Sequence, residues 1–296
     1  MAKADRWSRW VLERRDAGNP RQCEALMDHL AGVRDRLLAN AGPLDGATLL
    51  DVGSGDGLIG LEALDRVGAG GEVIFSDISP AIVEHLRASA GARDDGSRAR
   101  FLVCAAQDLG AIDSGSVDVL TARSVLIYVA DKPQAFSEMH RVLRAGGRIS
   151  LFEPINRLMF PESSDRFFGY DIAAAIDLAA KVKRAFAEME DRSLAATMMG
   201  FGDRDLVAIA ENEGFQRIHL ECHIDRQPGS TLHSVSLQAL LDGAPNPLAP
   251  TVREAIEAAL TANEQECFLH ELKRSIAERS CVRRSAVAYL TAEKGP

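Results

Sequence analysis

At 296 residues, 46% of them hydrophobic, the chain can bury a full α/β core, either as one enlarged domain or as a core with a cap. A net charge of −9 argues against a broad phosphate-binding face, and so against nucleic acid as partner, because such faces lean on clustered Lys and Arg. No apolar run approaches the ~20 residues of a bilayer span, and the first residues lack the apolar stretch of a signal peptide. The five cysteines show no CxxC spacing, so a disulfide framework is not expected. These features predict a cytoplasmic protein with no membrane partner, monomeric or homodimeric. In chain order, residues 1–44 read as helical, with Trp7, Trp10, Val11, Leu26, Leu30, Val33, Leu37 and Leu38 at helical spacing. Apolar runs near 48–52, 72–76, 100–104, 117–122 and 147–153 alternate with helical stretches, which builds a doubly wound parallel sheet over 45–156. Residues 92–97, rich in Gly, Asp and Ser, read as an exposed loop.

The carboxyl half departs from a minimal fold. Residues 157–200, with a helical stretch over 172–189, are too long for a simple crossover. A helix at 203–214 and a strand at 215–224 continue the core over 201–227. A second insertion, 228–280, holds a helical stretch at 252–277, and a last strand at 282–291 lies within 281–296. The fold class predicted is α/β: a doubly wound, seven-stranded, mostly parallel sheet with helical cap insertions.

The run Leu49-Leu50-Asp51-Val52-Gly53-Ser54-Gly55-Asp56-Gly57 drives an apolar strand into a glycine turn, followed by a helix from about residue 58. Glycines at 53, 55 and 57 permit positive φ and close approach of backbone to a ligand. Such a turn lies at the carboxyl end of the first strand, where open α/β sheets bind ligands. The next strand ends in Asp77, whose carboxylate can accept hydrogen bonds from both hydroxyls of a ribose. That spacing suits NAD and S-adenosylmethionine alike. A dinucleotide site wants its third glycine three residues after the second, and Leu58 stands there, so a nicotinamide oxidoreductase is disfavoured.

Asp51-Val52-Gly53-Ser54-Gly55-Asp56-Gly57 with Asp77 resembles the first two motifs of the class I S-adenosylmethionine-dependent methyltransferases. Gln107-Asp108-Leu109, the Asp-Ser-Gly-Ser-Val-Asp-Val-Leu run at 113–120, and Glu138-Met139-His140-Arg141-Val142-Leu143-Arg144-Ala145-Gly146-Gly147-Arg148 resemble its later segments. The resemblance covers about 45–155 and implies a Rossmann-like methyltransferase fold whose last strand runs antiparallel. It implies S-adenosyl-L-methionine as cofactor, S-adenosyl-L-homocysteine as product, and a methyl acceptor, here a small molecule such as a secondary metabolite. It places Asp51, Gly53, Ser54 and Gly55 around the methionyl portion, Asp77 on the ribose and Ile78 on adenine. Gln107 and Asp108 are its candidates for the adenine amine, although Ala105 stands where many relatives carry an acid. Arg123 and Ser124 face the methionyl end. The segment before the first motif becomes a lid that brings Trp7, Trp10, Arg14 and Arg15 to the ligands; the alternative is that both tryptophans only dock a helix. Both insertions become a cap over the cofactor. A non-catalytic S-adenosylmethionine-binding regulatory protein would carry the same motifs.

On the acceptor side, Glu153 ends the fifth strand beside Pro154 and Asn156, where a carboxylate could orient a substrate or take its proton. Tyr170, a second catalytic candidate, lies with Tyr128, Phe160, Phe167, Phe168 and Asp171 in a group that builds either an acceptor pocket or the cap's own core. His219, Cys222 and His223 are close in sequence, but strand alternation turns Cys222 away from the histidines, so no metal site is expected. Arg283 and Arg284 open the last strand, where a surface or salt-bridge role is expected.

Overall fold

The computed structural model describes residues 3–15, 20–228 and 236–296. Residues 229–235, part of the predicted second insertion, lie outside them. The apolar runs form parallel strands β1 (Thr48–Val52), β2 (Glu72–Asp77), β3 (Ala99–Val103), β4 (Val117–Arg123) and β5 (Leu143–Pro154). A two-residue hairpin follows, β6 (Arg166–Phe167) with β7 (Tyr170–Asp171), and then two long strands, β8 (Phe215–Pro228) and β9 (Val282–Lys294). The main sheet has the order β3-β2-β1-β4-β5-β9-β8, and β9 runs antiparallel to both neighbours. The order reverses at β1, so the crevice beside its carboxyl end is the expected ligand site.

Short helix α1 (Arg6–Arg9), a π-helical turn Trp10–Arg14 and α2 (Pro20–Asn40) precede β1. Helices α3 (Gly60–Arg66) and α4 (Pro80–Gly91) share one face of the sheet with α2, around Leu37, Leu64, Phe75 and Leu86. The other face buries Phe136 and Met139 of α5 (Lys132–Val142) against Leu120 and Ile149. In the same segment as α5, Arg141 donates to the carbonyls of Leu109 and Ile112 at 3.0 Å, while Glu138 accepts the Leu109 N–H at 2.7 Å. The later sequence motif therefore pins the loop after β3.

The two insertions share a separate core. Helices α6 (Ile176–Met189) and α7 (Arg192–Met199) come from the first, and α8 (Asp203–Asn212) returns to the sheet. The second supplies α9 (Leu237–Asp242), α10 (Val252–Ala259) and α11 (Ala262–Ala277). Phe167, Val182, Leu241, Ile256 and Phe268 meet in this core, and α7 packs on the turns after β4 and β5. The helical stretch read over 252–277 is two helices, because Thr261 and Glu264 form a capping box that starts α11 afresh. Helix α7, capped by Asp191, lies beyond the stretch read as helical over 172–189. Strand β5 begins four residues earlier than read, its register shifting near Gly146 at φ +70°.

Candidate active site at the carboxyl end of β1

After Val52 the chain turns through Gly53, Gly55 and Gly57 at φ +63°, +55° and +86°, a region that favours glycine. Space separates their roles. A Cβ on Gly53 would stand 2.4 Å from Val125 Cγ2, but one on Gly55 would meet only the Gly53 carbonyl and Val11 Cγ1, each 3.9 Å away. Packing demands the first glycine, whereas the second leaves one face of the turn open. Asp77, buried at the end of β2, accepts the Gly55 N–H on Oδ2 at 3.1 Å and the Ser79 N–H on Oδ1 at 2.9 Å. Each oxygen keeps a lone pair for a further donor. Burial raises its pKa, opposed by those two amides and reinforced by the nearby Asp5 carboxylate.

Asp51 stands below the turn. Its Oδ1 accepts the Thr121 hydroxyl at 2.8 Å, while Oδ2 is buried with no partner among the described residues. Burial pushes its pKa up to about 6. Over the turn lies the segment before α2. Arg15 donates to Asp56 Oδ2 at 2.8 Å with both side chains mostly buried, and the Arg15 Nε is a second buried atom without a partner. Burial alone would raise the pKa of Asp56, but Arg15 and Arg123 outweigh it and hold the carboxyl below its usual range. Arg123 is itself pushed down by burial, with Asp56 opposing. The Ser79 hydroxyl donates to Asp5 Oδ2 at 2.6 Å, and Trp10 Nε1 donates to the Ala244 carbonyl of the cap at 2.8 Å. Trp7 and Trp10 set their rings edge-to-face on Tyr128 at 5.2 and 6.1 Å. The tryptophans therefore join the second insertion to the turn after β4.

An orphaned acceptor at Asp51 and an orphaned donor at Arg15, beside an open glycine face and a ribose-type acid, are what an amino-acid tail on a nucleoside would satisfy. The methionyl and adenosyl parts of S-adenosylmethionine fit this donor set.

Comparison with known proteins agrees. Residues 50–151 match the model of a methyltransferase domain. The chain is 35% identical over 142 residues to nocamycin O-methyltransferase of Saccharothrix syringae, covering 44% of this chain and 50% of that protein. It is 33% identical over 117 residues to tRNA 5-carboxymethoxyuridine methyltransferase of Escherichia coli, covering 40% of this chain and 43% of that protein. The chain therefore carries a methyltransferase domain over residues 50–151. It spans about half the length, or less, of these two curated relatives. Its fold extends further: the YcgJ protein of Bacillus subtilis superposes with a TM-score of 0.53 at 14% identity, over 91% of this chain and 99% of that one.

Within this methyltransferase fold the other predicted residues separate. Ile78, 53% exposed, presents an apolar side chain beside Asp77. Gln107 and Asp108 are exposed, and Asp108 Oδ1 accepts the Gly110 N–H at 3.3 Å, closing its own turn. Ser124 takes φ +55° and donates its N–H to the Phe152 carbonyl at 2.8 Å. Strain of this kind persists where the surroundings hold it. Glu153, expected as a base, is 1% exposed and accepts the N–H groups of Val125, Leu126 and Ile127 at 2.9, 2.8 and 3.0 Å. Its carboxylate ties down the loop that carries Ser124 and Tyr128, with both oxygens accepting backbone amides. Burial raises its pKa to about 7 against those three amides. Tyr170, the other catalytic candidate, packs in the cap core with Phe167 and Cys281 as neighbours, and burial pushes its pKa up to about 12. Phe167 shares that core, while Phe160 and Phe168 are exposed.

His219 and His223 lie 3.5 and 3.4 Å from Glu221, and Cys222 is exposed. Among the described residues no three His, Cys, Asp or Glu are grouped to hold a metal. Sequence reasoning missed Asp5, Thr121 and Lys132. Lys132 is buried, donating to the Val129 carbonyl at 2.9 Å and standing 4.4 Å from the Phe201 ring centroid. Only Asp5 carried a sequence signal, an Asp-x-x-Ser helix start.

Proposed function

We propose that the protein is an S-adenosylmethionine-dependent methyltransferase acting on a small-molecule acceptor, with S-adenosylhomocysteine as product. The observation that carries this reading is the open Gly55 face, flanked by Asp77 and by the unpartnered Asp51 Oδ2. The bound cofactor supplies an electrophilic methyl group on a sulfonium. Asp77 accepts the ribose hydroxyls, Ile78 covers adenine, and Gln107 and Asp108 flank the adenine amine. Asp51 receives the methionyl ammonium, while Arg15 and Arg123 face its carboxylate beside Gly53, Ser54 and the Ser124 backbone. Trp7, Trp10 and Tyr128 exclude water and wall the acceptor. Held in near-attack geometry, two reactants gain roughly 7–11 kcal/mol of barrier reduction, so a committed base is not required. The aromatic walls and the net charge of −9 favour a small, planar acceptor over a polyanion. Unpaired thiols at Cys104, Cys222, Cys267 and Cys281 accord with work in a reducing cytoplasm.

Incubation with methyl-labelled S-adenosylmethionine and a cell extract, resolved by mass, tests this. Label in a small metabolite and release of S-adenosylhomocysteine are expected. Tight cofactor binding with no labelled product from any extract would favour the regulatory, non-catalytic reading.

A further inference from the structure

A cavity of about 260 Å³ lies away from the β1 turn, between α2 and the sheet where β8 and β9 outrun β5. Alternation along β9 and its register with β8 put Arg283, Ser285 and Val287 on one face with Gln227, Asp225 and His223. The inner end is apolar: Phe152 and Tyr289 pack edge-to-face at 5.0 Å, and Val33 closes the helix side. Arg36 sits 4.2 Å from the Tyr289 ring centroid, its charge committed to Glu221. The outer end is different. Arg283 is half-buried, burial lowers its pKa, and neither it nor Asp225 has an ion-pair partner within 4.0 Å among the described residues.

A cation and an anion on paired strands, with no ion pair formed among the described residues, stand at one end of a cavity whose other end is aromatic. We infer that this cavity binds a free α-amino acid with an apolar side chain, its carboxylate on Arg283, its ammonium on Asp225 and its side chain against Phe152 and Tyr289. The volume falls just below the roughly 300–1,000 Å³ of sites for drug-sized ligands and suits one amino acid. The site is three strands from β1, about 14 Å at ordinary strand spacing, so its occupant need not displace a ligand at the glycine turn.

Valine-methyl-labelled protein titrated with L-phenylalanine tests the inference by NMR. Saturable shifts at the Val33 and Val287 methyls are expected. Phenethylamine and 3-phenylpropionate, each lacking one charge, should bind at least tenfold more weakly, as should L-phenylalanine to Arg283→Gln and to Asp225→Asn. Far-ultraviolet spectra and melting of both variants should match wild type, which keeps a binding loss from being read as unfolding. No shift at Val33 and Val287 up to 10 mM, equal binding of all three probes, or full affinity in folded Arg283→Gln would each overturn it.

Discussion

Gly55 donates its backbone N–H to Asp77 Oδ2 over 3.1 Å, which makes the turn after β1 and the acid ending β2 a single structural unit. Asp77→Ala therefore removes the anchor of the turn together with the proposed acceptor for a ribose. S-adenosylhomocysteine binding should weaken by about 1–3 kcal/mol, read by calorimetry. Unchanged affinity would remove Asp77 from the cofactor site.

The Arg15–Asp56 pair makes a second prediction, by contrast with the more exposed Arg14–Glu254 pair at 3.4 Å. Arg15→Ala strips a mostly buried carboxylate of its partner and loosens the segment before α2 from the glycine turn, so cofactor affinity should fall more than tenfold. Arg14→Ala should shift it by less than about 0.5 kcal/mol, as exposed ion pairs contribute little. Equal effects of the two substitutions would refute a closing role for Arg15.

Glu153 sets a pH dependence. Its carboxyl ionises near 4.5 in the unfolded chain but near 7 in the fold, where burial disfavours the charge. The folded state thus holds more protons between those values, and stability falls as pH rises through that window, by on the order of 1–3 kcal/mol. Glu153→Gln has no proton to lose and should flatten the slope, leaving the part due to Asp51 between 3.8 and about 6. Denaturant titrations at pH 5 and 7.5 check this; an unaltered slope in the variant would contradict it.

The strand alternation and the glycine run were legible because each rests on local rules: period-two apolar runs, positive φ, and an acid at a strand end. The seven strands lay where the sequence places them, within a few residues at their ends. For Glu153 the sequence shows only part of the setting. Its position at a strand's ligand edge is visible in sequence, but the three amides it accepts come from a loop 26 to 28 residues away. The setting of Tyr170 is hidden in the same way, since the core it joins is assembled with α10 and α11 from the second insertion. The Arg15–Asp56 and Ser79–Asp5 contacts span 41 and 74 residues, beyond any pattern in the chain.

The cap gives a fourth prediction. Phe167 is buried edge-to-face against Phe268 at 5.3 Å, so Phe167→Ala should cost about 3–5 kcal/mol of stability. Tyr170→Phe, which keeps the ring, should leave turnover within twofold of wild type. Loss of activity in a stable Tyr170→Phe variant would return that hydroxyl to the chemistry.

The most direct test of the account is calorimetric titration of S-adenosylhomocysteine into wild type, Gly55→Val and Gly53→Ala, with NADH as control ligand. Added side-chain atoms at Gly55 enter open space at the turn, whereas at Gly53 they strike Val125. Wild type should bind S-adenosylhomocysteine and not NADH. Gly55→Val should stay folded, losing about 1–2 kcal/mol to left-handed strain, and bind nothing. Gly53→Ala should lose more stability than Gly55→Val despite its smaller side chain. Undiminished binding in folded Gly55→Val, or NADH binding in its place, would contradict the assignment of the cofactor to the turn after β1.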